Sequence, residues 1–284
     1  MTDPMTDPMT ERLVRFQRPG ALPYLIGADE ARLAALFGLD AGAYRALLDG
    51  FDRQTRQAAE TLLARPGLAD AVDRLPLHPE DARDPGDARD AFHVVAVGES
   101  TTADRLSWFE ILRRLVALRR PGDAVRFTNL AISGSTTTQA LAQLPALGFQ
   151  RPDLVLCMIG ANDTQHLAPG APTLVSAAET ERNLAMLHDL ARQRGPVRWV
   201  WLTPSPFDEP RAAAYPHFRR AGITWAGKDV DAIADHLLSR PEPVVDTRLA
   251  VREDHHFLDD GVHLSIEGQR EIAEAVVRAL AGAA

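Results

Sequence analysis

The 284 residues carry 45% hydrophobic and 25% charged side chains, a balance that supports a packed core and excludes disordered and collagen-like classes. A formal net charge of -8 removes the electrostatic basis for binding nucleic acid or an anionic membrane. The single cysteine, Cys157, allows no intrachain disulfide, and inside the apolar run 154–159 it reads as a buried, inert thiol.

Residues 1–27 read as a polar, partly disordered leader in which Met-Thr-Asp-Pro occurs twice. They lack the basic and apolar regions of a secretory signal. No apolar run reaches the ~18 residues of a membrane span, so a cytoplasmic location is expected. Residues 28–90 read as a helical extension and linker. Helices are expected over 31–37, 41–63 and 68–75, broken by Gly38, Pro66-Gly67 and Pro76, before a charged linker at 77–90. From residue 91 to 284 the pattern changes to short apolar runs alternating with amphipathic ones. Strands are expected at 92–97, 125–132, 154–159, 197–202 and 243–246. Helices are expected at 103–118, 137–147, 174–192, 227–238 and 266–281. Arg113-Arg114 and Arg119-Arg120 fall on or beside the first of these and read as a solvated face.

Strands alternating with helices predict an α/β fold. Right-handed crossovers make it a three-layer α/β/α sandwich with a five-stranded parallel sheet, to which the N-terminal helical extension is added. In such sheets ligands bind at the carboxyl ends of the strands. The polar, glycine-containing segments cluster at those ends.

Strand one runs into Gly98-Glu99-Ser100-Thr101-Thr102. A serine at a strand-to-helix turn offers a nucleophilic hydroxyl and an amide near a helix N-terminus. The plain alternative is a helix cap. Thr102 also rules out the G-x-S-x-G elbow. Strand two runs into Ser133-Gly134-Ser135, where glycine lets a backbone N–H approach a ligand. Strand three runs into Gly160-Ala161-Asn162-Asp163, whose asparagine amide can donate to developing negative charge. Its plain alternative is an Asx turn. Near the C-terminus, Asp259-Asp260-Gly261-Val262-His263 sets a carboxylate three residues before an imidazole, the spacing that fixes a histidine tautomer.

Taken together, residues 92–281 resemble the SGNH (GDSL-like) hydrolases. The resemblance rests on Gly98-Glu99-Ser100, Gly134, Gly160-Ala161-Asn162-Asp163 and Asp260-Gly261-Val262-His263 in the family's order. It departs from the pattern at Glu99, where the family has aspartate. The resemblance implies a flavodoxin-like sandwich and a serine esterase working through an acyl-enzyme. Ser100 would be the nucleophile, His263 the general base and Asp260 its orienting partner, with Asp259 a competitor for that role. Ser100, Gly134 and Asn162 would form the oxyanion hole. It implies no cofactor or metal, and a small-molecule ester as substrate. Acyl transfer or carbohydrate O-acetyl ester hydrolysis on the same site is the alternative.

Phe207, Tyr215, Phe218 and Trp225, in a proline-broken loop, either wall a substrate pocket or pack the loop down. The N-terminal helices are read as a packed extension that narrows substrate access, and as a candidate surface for homo-oligomer formation. Two rival readings carry less. The crowd of Asp254, His255, His256, Asp259, Asp260 and His263 raises metal-dependent hydrolysis, although no H-E-x-x-H or cysteine cluster accompanies it. A non-catalytic binding module would leave the catalytic positions without a purpose.

Overall fold

The computed structural model describes residues 7–282, apart from 23–24, 26, 79–90, 143, 169, 194 and 196. Most of the expected linker therefore lies outside the described residues, as do residues 1–6 of the expected leader. The first described helix, α1 (Pro8–Phe16), was not foreseen. Asp7 caps it by accepting from the Thr10 amide, and Pro8 occupies its first turn, where its missing N–H costs nothing. Then come α2 (Glu30–Ala35), α3 (Ala41–Leu63) and α4 (Leu68–Asp73), close to the expected spans.

The remaining elements are β1 (Phe92–Gly98), α5 (Ser100–Ala103), α6 (Trp108–Arg119), β2 (Val125–Asn129), α7 (Thr137–Ala142), α8 (Leu144–Gln150) and β3 (Leu154–Met158). They continue with α9 (Ala177–Arg192), β4 (Arg198–Leu202), α10 (Glu209–Ala214), α11 (Pro216–Ala221), α12 (Gly227–Leu238), β5 (Val244–Val245) and α13 (Ile266–Gly282). The five strands pair in parallel in the order β2-β1-β3-β4-β5. That is the doubly wound order whose switch point lies between β1 and β3.

Strand alternation builds two cores. Val94, Ala96, Leu154, Leu156 and Met158 pack on one face with residues of α6 and α13. Val95, Val97, Val155, Cys157 and Ile159 pack on the other with residues of α9 and α12. Leu62 of α3 and Leu68 and Val72 of α4 are fully buried in the first of these cores, so the extension shares the hydrophobic interior of the sandwich. A third, smaller cluster joins Val14 of α1, Ala34 of α2, Tyr44 and Phe51 of α3, and Leu106.

The expected helix 103–118 is instead two helices. Ser107 caps α6 through Glu110 N, and the Asp104 carboxylate takes the Leu106 amide, so the chain turns between the helices. The expected helix 137–147 is likewise α7 followed by α8. The second strand ends early at Asn129, whose side chain donates to Thr102 O and accepts the Ala131 amide as the chain leaves regular strand geometry.

Candidate active site

The rim of the sheet at the β1–β3 switch point gathers the polar segments singled out in the sequence. Gly98 ends β1 where a Cβ would lie 2.7 Å from Met158 O and 2.7 Å from Thr102 Oγ1, so only glycine lets the chain turn there. Ser100 follows at the start of α5, 9% exposed. The Thr102 and Ala103 amides bond back to Glu99 O at 3.0 and 2.7 Å, while the Ser100 amide, at the head of the turn, has no intrahelical acceptor. Gly134 sits at φ +81° in an exposed turn after β2. The Ile132 amide, two residues earlier, bonds Gly98 O at 3.1 Å and holds this turn beside the end of β1.

His263 and Asp260 form a close pair. The imidazole Nδ1 lies 2.6 Å from Asp260 Oδ2, and Asp260 Oδ1 accepts the amides of Val262 and His263 at 2.8 Å each. The carboxylate is 1% exposed. Burial alone would raise it, but the hydrogen bonds and charge of His263, aided by Arg12, hold it down at about 2. Asp259 is the more exposed of the two candidates and bonds Arg12 Nη1 at 2.6 Å, not the imidazole.

The serine and histidine segments are tied together. Gln269 of α13 donates to Thr101 O at 3.0 Å. Arg15 of α1 bonds the buried Asp104 through two nitrogens, at 2.9 and 2.7 Å, and also Leu264 O at 2.9 Å. No hydrogen bond joins the Ser100 hydroxyl to the His263 ring among the described residues. Such contacts commonly tighten only when substrate is bound.

Asn162 arrives on the 3-10 turn Asn162–Thr164 after β3. Its Nδ2 donates to Glu99 Oε2 at 2.7 Å and to Ser135 O at 3.1 Å, and its Oδ1 accepts from Gln165 Nε2 at 2.6 Å. Both amide protons are therefore engaged, and donation to an oxyanion requires the longer bond, to Ser135 O, to be shared or exchanged. Glu99 also accepts the Ala161 and Asn162 amides at 2.9 and 3.1 Å. Burial, opposed by these donors and reinforced by the charge of Asp163, pushes its carboxyl up to about 8. Asp163, fully buried, accepts from the Thr137 amide and hydroxyl and from Thr180, tying α7 and α9 to the turn.

The sequence reading missed the contribution of α1. Phe16 packs its ring 4.4 Å from the His263 ring, and Arg12 bonds Asp260 Oδ2 as well as Asp259. The signal for this helix was present in Asp7-Pro8, a cap followed by a first-turn proline. Nothing local marked the partners of Arg12. The aromatics of the loop after β4 divide between ring contacts within the loop and a cavity lining. Phe207, Phe218 and Trp225 pack mutually, while Tyr215 lines a cavity of about 520 Å³ with Met9, Arg12, Arg211 and Asp259. The acidic and histidine crowd disperses. His256 Nδ1 accepts the Arg252 and Glu253 amides, and no group of three potential metal ligands converges among the described residues.

Comparison with known proteins gives the family and the fold. A family model described as GDSL-like lipase/acylhydrolase matches residues 96–271. An arylesterase of Vibrio mimicus is 27% identical over 193 residues, covering 66% of this chain and 87% of that protein. The crystal structure of a lipase/acylhydrolase from Enterococcus faecalis superposes with a TM-score of 0.52 at 23% identity, covering 68% of this chain and 96% of that one. The acetylxylan esterase Axe2 of Geobacillus stearothermophilus gives 0.51 at 21% identity, over 66% of this chain and 94% of its own. At these identities the solved structures speak for the fold.

Proposed function

Because the chain belongs to the GDSL-like lipase/acylhydrolase family and is thus a carboxylic ester hydrolase, we propose that it works as a serine esterase through an acyl-enzyme, with Ser100, His263 and Asp260 as its catalytic residues. The observation that carries the reading is the His263–Asp260 pair at 2.6 Å, on a segment that Gln269 ties to the Ser100 turn.

In this reaction His263 Nε2 takes the Ser100 proton as Oγ attacks the ester carbonyl. The oxyanion is met by the amides of Ser100 and Gly134 and by Asn162 Nδ2. The imidazolium, held by Asp260, then gives its proton to the departing alkoxide. Water repeats the sequence on the acyl-enzyme and releases the acid.

Two cavities support a division of the substrate. The leaving alcohol needs the His263 side, and the cavity lined by Arg12, Tyr215 and Asp259 adjoins the Asp260–His263 pair through Arg12. The acyl chain then belongs on the Gly134 side. There a smaller cavity of about 150 Å³ is lined by Leu22, Leu36, Phe37 and Ile132. This is well below the ~300 Å³ at which sites for larger ligands begin, so a short acyl group is expected. Leu22, Leu36 and Phe37 precede the catalytic fold, which supports the extension as the element that narrows access.

The test is a panel of p-nitrophenyl esters from acetate to palmitate, run on the wild type and on Ser100→Ala, with fluorophosphonate labelling. The reading expects turnover concentrated on short chains, a label on Ser100, and loss of both in the variant. Undiminished turnover in Ser100→Ala would overturn it.

A further inference from the structure

We propose that Arg12, on a helix that precedes the catalytic fold, is a positioning residue for the Asp260–His263 pair and shares the charge of the Asp260 carboxylate with the imidazole. The proposal rests on the serine-esterase reading.

The Asp260 carboxylate is saturated. Oδ1 takes two backbone amides, and Oδ2 takes both His263 Nδ1 and Arg12 Nη2. The other branch of the Arg12 guanidinium holds Asp259, and its plane lies 5.5 Å from the Tyr215 ring centroid. The arginine is thus fixed at three points around one carboxylate. Its helix is fixed too. Arg15 makes its paired bond to buried Asp104, the Arg105 amide bonds Arg15 O at 3.0 Å, and Arg105 Nε bonds Val14 O at 2.8 Å. Phe16 closes over the imidazole from the same helix.

The electrostatic consequence follows from sharing. An uncompensated aspartate stabilises an imidazolium, and a guanidinium on the same oxygen offsets part of that field. The charged and titratable groups around His263 are Asp259 and Asp260 on its own segment, Arg12 and Arg15 on α1, Asp104 after α5, and Arg211 and Tyr215 beyond β4. Arg15 is neutralised by Asp104, and Arg211 by Asp208 at 3.3 Å. Arg12 is the cation bonded directly to the pair. With it in place, the charge of the carboxylate is divided between guanidinium and imidazole, and the carboxylate stays in line with Nδ1.

The experiment is the pH profile of kcat/KM for p-nitrophenyl acetate in the full-length wild type, Arg12→Gln and Arg12→Lys. Arg12→Gln is expected to move the acid limb upward by about half a pH unit or more and to lower kcat several-fold. Arg12→Lys, which keeps the charge, is expected to restore the position of the limb. An acid limb unmoved in Arg12→Gln, with or without loss of kcat, overturns the proposal. If Arg12→Gln does not fold, NMR titration of the His263 ring in Arg12→Met, beside Arg12→Lys, decides. The ring must titrate at higher pH in Arg12→Met than in Arg12→Lys, and equal titration refutes the idea. Wild-type protein that resists fluorophosphonate at Ser100 would sink the esterase reading instead, so the two failures are distinguishable.

Discussion

Glu99 clasps Asn162 twice, through the backbone amide at 3.1 Å and through Nδ2 at 2.7 Å. The residue that departs from the family's aspartate thus holds the side chain proposed to meet the oxyanion. Its carboxyl is pushed by burial up to about 8, so the folded state keeps a proton that the unfolded chain releases above about 4.3. Where the native state binds more protons, stability falls as pH rises. The contribution from Glu99 is therefore full below about 4.3, declines up to about 8 and is flat beyond. The Tm of the wild type relative to that of Glu99→Gln, measured from pH 4 to 9, should fall across that window. A constant difference would show that Glu99 does not titrate there.

Asp260 and Asp259 are neighbours in sequence with different tasks. Asp260→Asn should lower kcat on the order of a hundredfold to ten-thousandfold, because the amide favours the wrong imidazole tautomer. Asp259→Asn should stay within about tenfold of wild type, since Asp259 bonds Arg12 and not the imidazole. Equal losses in the two variants would contradict the assignment.

Asn162→Ala should reduce kcat on the order of a hundredfold or more, the usual effect of losing one oxyanion donor, about 2.7–4 kcal/mol. Circular dichroism should show the fold retained. Wild-type turnover would remove Asn162 from the site and leave its role as a strut between Glu99 and Ser135 O.

Arg15→Ala should cost about 3 kcal/mol in urea unfolding, because it strands the fully buried Asp104 with only the Leu106 amide and a 3.3 Å contact to Gln269. A loss under about 1 kcal/mol would mean that the pair is solvated in solution.

Much of this was legible from the residues. The strand at 154–159 is an unbroken apolar run and that at 92–97 is interrupted only by His93, the mark of strands buried on both faces, and glycine follows each. Ser100, Gly134 and Asn162 could be placed because each follows a strand at a defined rim, and His263 because Asp260 stands three residues before it. The helix 103–118 was misjudged because Asp104 and Ser107 spend their side chains on local amides, which apolar spacing does not register. Arg12 and Phe16 were missed for a different reason. Their partners, Asp260 and His263, lie some 248 positions away, and no local pattern records that separation.

That separation has a consequence for biosynthesis. Arg12 is translated some 248 positions ahead of Asp260. The fold must therefore bring these two distant segments together to complete the hydrogen bonds of the carboxylate. A nick between α1 and α2 should accordingly lower turnover in molecules whose sheet is otherwise intact.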